Sequence, residues 1–257
     1  MEDRIRKQWE TNSEAFADLI GGVGTPHHIH ILNPCVENLL GEVTGKRLLD
    51  AGCGEGYLAR EYAKRGAIVT AVDISADLIA VARKKSKEEG IVVEYEVADV
   101  CLLDWIPDNE FDIVLSNLVL LNVPCLDEAL HEFYRVLRQQ GCLVFSIVHP
   151  AFDFYGPGAW EMGGKDSATG RREGKYFKID QYFNERKYER YWTTRNGERF
   201  PAPISFFHRT LATYLNSLST AGLRLADFRE PQPAVGDKFF DRERRIPFFA
   251  VFKAIKD

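Results

Sequence analysis

Apolar and polar positions change their spacing along this chain in an ordered way. From Asp3 to Ile20, apolar Ile5, Trp9, Phe16 and Leu19 recur at steps of three, four or seven among charged neighbours. One face of an α-helix repeats at that interval, so an amphipathic helix with a single buried stripe is predicted. Gly21-Gly22-Val23-Gly24-Thr25-Pro26 breaks the pattern and would let that helix hinge. Asn33-Pro34 has the order of an N-cap followed by proline at the first helical position, which predicts a second helix carrying Val36, Leu39 and Leu40 inward. Two helices ahead of the first strand suit either a cap over a ligand-binding edge or packing on the flank of a sheet.

The spacing then shortens. Leu48–Ala51, Ile68–Asp73, Val92–Val97, Phe111–Asn117 and Gly141–Val148 are short apolar or β-branched runs of strand length. Helices are expected between them: one over 57–65 stopping at Gly66, one opened by Ser75 and Asp77 and closed at Gly90, and one marked by Leu126, Leu130, Phe133 and Leu137. Strands alternating with helices at such intervals specify a parallel sheet wound on both faces. The rhythm halts after His149-Pro150. Residues 151–207 are rich in Gly, Pro and aromatics, among them Phe152, Phe154, Tyr155, Trp160, Tyr176, Phe177, Tyr182 and Phe183. Within Tyr191–Phe200, Asn196-Gly197 lies between β-prone flanks and predicts a hairpin. Leu211, Tyr214, Leu215 and Leu218 mark a last helix, and Leu223–Arg229 and Phe248–Ile255 are two final strands joined by a loop. Without a crossover helix those two strands must run antiparallel.

The expected fold is therefore α/β and doubly wound, with a mostly parallel seven-stranded sheet and an antiparallel C-terminal hairpin. The expected organisation is a single domain: an N-terminal helical cap over 1–43, a Rossmann-like core over 44–150 and 208–257, and an insertion after strand five over 151–207. That insertion would serve as an acceptor-binding lid or a dimer contact, and the protein as a monomer or homodimer.

Composition narrows the partners. The 257 residues carry a formal net charge of −5, without the basic surplus of a nucleic-acid binder. The five cysteines are scattered and contain no Cys-x-x-Cys pair, so neither a metal site nor a disulfide framework is expected, and a reducing cytoplasm is the plain reading. No leader-like apolar stretch follows Met1, and no apolar run is long enough to span a bilayer.

The chemistry gathers around Leu48-Leu49-Asp50-Ala51-Gly52-Cys53-Gly54-Glu55-Gly56-Tyr57-Leu58, a strand, a glycine turn and a helix start. The glycines sit as Asp50-x-Gly52-x-Gly54-x-Gly56, and Tyr57 occupies the place where a dinucleotide fingerprint needs glycine. Asp50 would repel a pyrophosphate but suits a ligand carrying an ammonium and a sulfonium. Asp73 closes the second strand, where an acid accepts ribose hydroxyls, as dehydrogenases also arrange. The turn resembles the first motif of the class I S-adenosylmethionine-dependent methyltransferases, and Asp73 and Asp99 fall at that family's next two positions.

That resemblance covers roughly 44–150 and 208–256 and implies S-adenosylmethionine as cofactor and S-adenosylhomocysteine as product. It implies cofactor binding by Asp50, Gly52, Gly54, Gly56, Asp73, Ile74, Asp99, Val100 and Asn117, with Asp99 on the adenine amino group and the Val100 N–H on the ring. Ser116-Asn117-Leu118 departs from the Asn/Asp-Pro-Pro-Tyr tetrad of amino-methylating nucleic-acid enzymes, which points to a small-molecule acceptor. Methyl transfer is an in-line displacement that needs alignment and exclusion of water, with a base where the nucleophile must lose a proton. His149, ending strand five, is the candidate base; His149, Tyr155 and Trp9 are the candidate acceptor contacts, and His27, His28 and His208 are weaker candidates. A non-catalytic cofactor-binding module and an NAD-dependent oxidoreductase remain the competing readings.

Overall fold

The computed structural model describes residues 2–153, 156–168 and 170–257. The chain opens with α1 (Glu2–Ile20), a π-helical turn (His28–Leu32) running into α2 (Asn33–Leu40), and β1 (Arg47–Ala51). Then come α3 (Tyr57–Lys64), β2 (Ile68–Asp73), α4 (Ala76–Glu89), β3 (Glu94–Val97), β4 (Phe111–Asn117), α5 (Leu126–Val136) and β5 (Leu137–Val148). Two antiparallel ribbons follow, β6 (Gly158–Lys165) with β7 (Arg172–Ile179) and β8 (Arg186–Arg190) with β9 (Ile204–His208). α6 (Leu211–Thr220), β10 (Leu223–Arg229) and β11 (Phe249–Lys256) complete the chain.

Seven of these strands form one sheet in the order β10-β11-β5-β4-β1-β2-β3. β1 through β5 pair in parallel, and β11 runs antiparallel to both β5 and β10. The doubly wound α/β fold with its antiparallel C-terminal pair is thus as the alternating pattern specifies. Side chains alternate between the two faces of a strand. Leu48, Val69, Ile113 and Leu115 accordingly pack with α2, α3 and α4, whereas Leu49, Val72, Val114, Leu143 and Phe145 pack with α5 and α6. The chain crosses from β3 back to β4 beside β1, so the loops leaving β1 and β4 diverge. A crevice opens there, outside the carboxyl ends of the strands, which is where ligands bind in open α/β sheets.

Two local expectations need correction. The second helix does not start at Asn33: it is helical from Pro26, with the Ile29 N–H donating to Thr25 O at 3.0 Å. Thr25-Pro26 supplies the same polar-residue-then-proline start one segment earlier. Asn33 lies inside the helix at φ −57°, and its side chain accepts from the Tyr57 hydroxyl at 3.2 Å. β5 begins at Leu137 rather than Gly141, because Gln140 takes φ 64° and the ladder with β4 shifts register between Phe111 and Ile113. The Asn196-Gly197 hairpin exists but is short: Gly197 takes φ 84°, the Thr194 N–H donates to Glu198 O at 2.8 Å, the Phe200 N–H donates to Trp192 O at 2.9 Å, and Thr193 bridges Arg199 between them. The paired strands lie further out, in β8 and β9.

α1 is fastened to the β8–β9 ribbon by polar contacts. The buried Asn12 side chain accepts from Ala202 N–H at 2.9 Å and donates to Ala202 O at 3.0 Å. Ser205 donates to Gln8 at 2.7 Å, Arg4 pairs with Glu189 at 2.9 Å, and Arg195 donates to the terminal carbonyls Leu19 O and Ile20 O. The last contact satisfies carbonyls that a helix C-terminus otherwise leaves without partners. α2 instead packs on the sheet flank through Val36, Leu39 and Leu40, so the two N-terminal helices do different work. Asn12→Ala strands both backbone groups of Ala202, and a loss of roughly 1–3 kcal/mol in denaturant unfolding is expected. Hydrogen exchange should speed up together in residues 2–20 and 191–207; unchanged exchange in either segment would show that the two are not fastened.

Candidate functional site

The crevice is a cavity of about 510 Å³, within the range of small-molecule sites. Its floor is the glycine turn after β1. Gly52 takes φ +87°, and a Cβ there would fall 2.4 Å from Val119 of the loop after β4, so only glycine lets the two loops meet. The Gly54 N–H donates to Asp73 Oδ2 at 2.9 Å, which ties the turn to the end of β2. Gly56, left-handed at φ 78°, starts α3 from behind the turn. Beneath lies a buried ionic cluster: Glu55, fully buried, accepts from Arg60 at 3.1 Å and from Lys85 at 2.7 Å. Arg60 also reaches Glu89 at 2.9 Å.

Three carboxylates stand at the ends of three adjoining strands. Asp73 Oδ1 accepts from the Ser75 N–H at 2.9 Å, fixing the carboxyl in the plane of the strand end. Burial holds its pKa above the ordinary value, against the pull of the Ser75 and Gly54 N–H groups. Asp50 is 2 % exposed, and its Oδ2 has no hydrogen-bond partner. Burial first, then the neighbouring Asp73, pushes its carboxyl up to about 7. A buried acceptor left open is costly, and an ammonium group is the ligand that would satisfy it. Asp99 follows β3 and accepts from the Cys101 N–H at 3.0 Å, with Ile74, Leu78 and Val100 giving an apolar lining beside it.

The opposite wall is aromatic. Trp9 meets Phe16 edge-on at 5.3 Å and Trp192 at 6.3 Å, while Phe16 and Trp192 stack at 6.2 Å. α1 and the turn of the β8–β9 ribbon thus close the cavity together. Near β4, Asn117 accepts from Ser146 at 2.6 Å, and Leu118 takes φ 58°, a strained backbone at the sheet edge. Thr25, His28, Tyr57 and Asn122 add polar groups. His28 is held neutral: burial and then His27 lower its pKa to about 4, and its Nδ1 accepts from the Thr25 N–H at 3.2 Å.

Of the residues singled out in the sequence, the cavity wall contains Trp9, Asp50, Gly52, Gly54, Asp73, Ile74, Asp99, Val100 and Asn117. Gly56 shapes the turn from outside the wall. His149 does not reach the cavity: its Nε2 meets Glu230 Oε1 at 2.9 Å and its Nδ1 accepts from the Ala151 N–H at 3.2 Å. Both ring nitrogens are thus engaged within the strand-end turn that follows β5, outside the cavity wall. Phe154 and Tyr155 lie outside the described residues. Phe152, Trp160 and Phe177 pack on one another, and Phe183 is 88 % exposed, so these aromatics do not line the cavity. Trp192 and Tyr191, read in the sequence only as hairpin flanks, do.

The cysteine reading also changes. Cys101, after β3, and Cys125, preceding α5, form a disulfide with a Cα separation of 6.3 Å. Their separation of 24 residues hid the pairing, because it is the fold that brings both loops to one sheet edge. Asp99 lies close to both sulfurs, but a disulfide offers no thiolate to a metal. No helix among the described residues is long and apolar enough to cross a membrane.

Residues 49–145 match a family described as "Methyltransferase domain". The chain is 29% identical over 234 residues to an uncharacterized protein of Haemophilus influenzae, covering 86% of this chain and 85% of that one. It is 34% identical over 125 residues to a ubiquinone biosynthesis O-methyltransferase of Pseudomonas entomophila, a match to 47% of this chain that spans about half, 53%, of the relative. In three dimensions it resembles an S-adenosylmethionine dependent methyltransferase of Mesorhizobium loti with a TM-score of 0.67 at 28% identity, over 86% of this chain and 96% of that one. These likenesses converge on the glycine turn, the strand-end acids and the sheet order already described: residues 49–145 form a methyltransferase domain, and the fold and cofactor they support are those of the class I S-adenosylmethionine-dependent methyltransferases.

Proposed function

We propose that this protein transfers a methyl group from S-adenosylmethionine to an oxygen, nitrogen or carbon nucleophile of a small-molecule acceptor. The carrying observation is the unpartnered, buried Asp50 Oδ2, facing a cavity that Asp73 and Asp99 also line. Asp50 would take the ammonium of the cofactor, Asp73 the ribose hydroxyls, and Asp99 with Val100 the adenine edge beside Ile74. Gly52 and Gly54 allow the close backbone approach, and Asn117 stands near the methionine end. When bound, S-adenosylmethionine supplies the electrophilic methyl group; the chain's own part is to align the acceptor and exclude water.

Acceptor size follows from the enclosure. α1 and the β8–β9 turn close a mostly apolar wall of Trp9, Phe16 and Trp192 over the cavity, which suits a compact, partly aromatic molecule better than a polymer. The O-methyltransferase name of the Pseudomonas relative favours a hydroxyl acceptor, although that likeness covers only 47% of this chain.

Label transfer from methyl-tritiated S-adenosylmethionine into a metabolite extract tests the activity. Incorporation into a low-molecular-weight product is expected; tight binding with no transfer would make the protein a binding module. Calorimetry should show S-adenosylhomocysteine binding and no NAD binding, with Asp73→Ala weakening the former by about 1.5–3 kcal/mol.

Asp50 gives a signed pH dependence. Only its ionised form attracts an ammonium, so affinity for S-adenosylhomocysteine should fall as pH drops through about 7, and Asp50→Asn should remove both the slope and most of the affinity. For folding the sign is opposite. A carboxyl raised from 3.8 to about 7 on folding is penalised when ionised, so ligand-free stability is lost as pH rises through that window. Asp50→Asn should therefore raise the ligand-free melting temperature at pH 8. A lowered melting temperature would mean that the open oxygen has a structural partner.

A further inference from the structure

In the sequence His27 is a weaker candidate, with no carboxylate at a suggestive spacing nearby. The fold supplies one from the far end. His27 Nε2 meets Glu243 Oε1 at 2.9 Å across 216 positions. The Glu243 side chain is fully buried, and the same oxygen accepts from Arg171 Nη2 at 3.0 Å. The His27 ring lies parallel to Phe248 with centroids 6.1 Å apart, and Phe239, Phe240 and Phe249 surround it. It belongs to the wall of the main cavity, as do Phe248, Val148 and Asn117.

We infer that His27, oriented by Glu243, is the group that takes the proton from the methyl acceptor. This rests on the methyltransferase reading above and gives to a residue of the cavity wall the role that the sequence suggested for His149, whose ring nitrogens are engaged outside that wall.

The charges fix the tautomer. The hydrogen bond from His27 and the Arg171 cation hold the Glu243 carboxyl below its ordinary range in spite of burial, so it is an anion and can only accept. Nε2 must then carry the hydrogen, which leaves the lone pair on Nδ1. His27 Nδ1 makes no hydrogen bond among the described residues, and the side chain keeps 28% exposure. The charged and titratable groups facing the ring are Glu243, Arg171 behind it, and His28 beside it, itself neutral. Arg171 shares the same Glu243 oxygen, so the carboxylate that orients the His27 ring is itself already paired with a guanidinium.

The step balances simply. A proton leaves the acceptor hydroxyl or amine for Nδ1, and the electron pair left behind forms the bond to the methyl carbon. The carbon–sulfur bond breaks with its pair staying on sulfur, which discharges the sulfonium, and the imidazolium returns its proton to water. His27 is the proton acceptor and Glu243 a positioning residue.

The test pairs nitrogen-15 NMR of the full chain saturated with S-adenosylhomocysteine with label transfer into a metabolite extract. The neutral His27 ring should carry its proton on Nε2, and Glu243→Gln should weaken that preference. Arg171→Met, which leaves Glu243 paired with His27 alone, should move the acid limb of the transfer rate to higher pH, a change that a purely structural role would not produce. With S-adenosylmethionine held saturating at every pH, so that Asp50 does not shape the profile, His27→Asn should lower transfer by roughly 10²–10⁴-fold and abolish the acid limb, while S-adenosylhomocysteine affinity stays within about threefold, which also reports folding. A proton on Nδ1, or a His27→Asn protein keeping the wild-type rate and acid limb, would overturn the assignment. If the wild-type protein bound S-adenosylhomocysteine but transferred no label, the methyltransferase reading would fail instead, and the tautomer would still decide where the proton sits.

Discussion

Everything at the functional edge depends on how two buried carboxylates are held against each other. Asp50 and Asp73 end neighbouring parallel strands, and removing both from water disfavours their charged forms. Asp73 is compensated by the chain itself, through the N–H groups of Gly54 and Ser75. Those bonds set the path of the glycine turn and the start of α4. Asp50 is left with an open oxygen. The fold thus carries an electrostatic deficit at one atom, and a cation-bearing ligand removes it. Stability given up at such a position is a common signature of binding sites.

The second constraint is closure. The sheet edge alone is an open crevice, and the wall that encloses it comes from two segments far apart in sequence, α1 and the β8–β9 ribbon. Polar contacts at Gln8, Asn12 and Arg195 make them one piece. Their aromatic inner surface then excludes water from a reaction that gains from its exclusion. The segment 238–249 contributes a third side, where Glu243 and the phenylalanines hold His27 in the wall.

Legibility followed the range of the interactions. β2, β4 and β10 were readable to the residue because a run of β-branched or apolar side chains needs no distant partner to be recognised. Asp50, Asp73 and Asp99 were readable because strand ends converge in a parallel sheet. The failures at the site involve contacts between remote segments. His149 looked available because its partner Glu230 is on another loop, and His27 looked idle because Glu243 is distant. The Cys101–Cys125 pairing and the Asn12–Ala202 clasp are invisible for the same reason. Glu55 and Arg60, which nothing in the local sequence marks as buried, lie paired together under the turn.

A crystal structure of the protein with S-adenosylhomocysteine tests the central claim most directly, because it locates each polar group of the ligand against the strand ends. The account requires the ligand's ammonium within hydrogen-bonding distance, about 3 Å, of Asp50 Oδ2, with the ribose hydroxyls on Asp73. An ammonium directed elsewhere, with Asp50 Oδ2 still open, would contradict it.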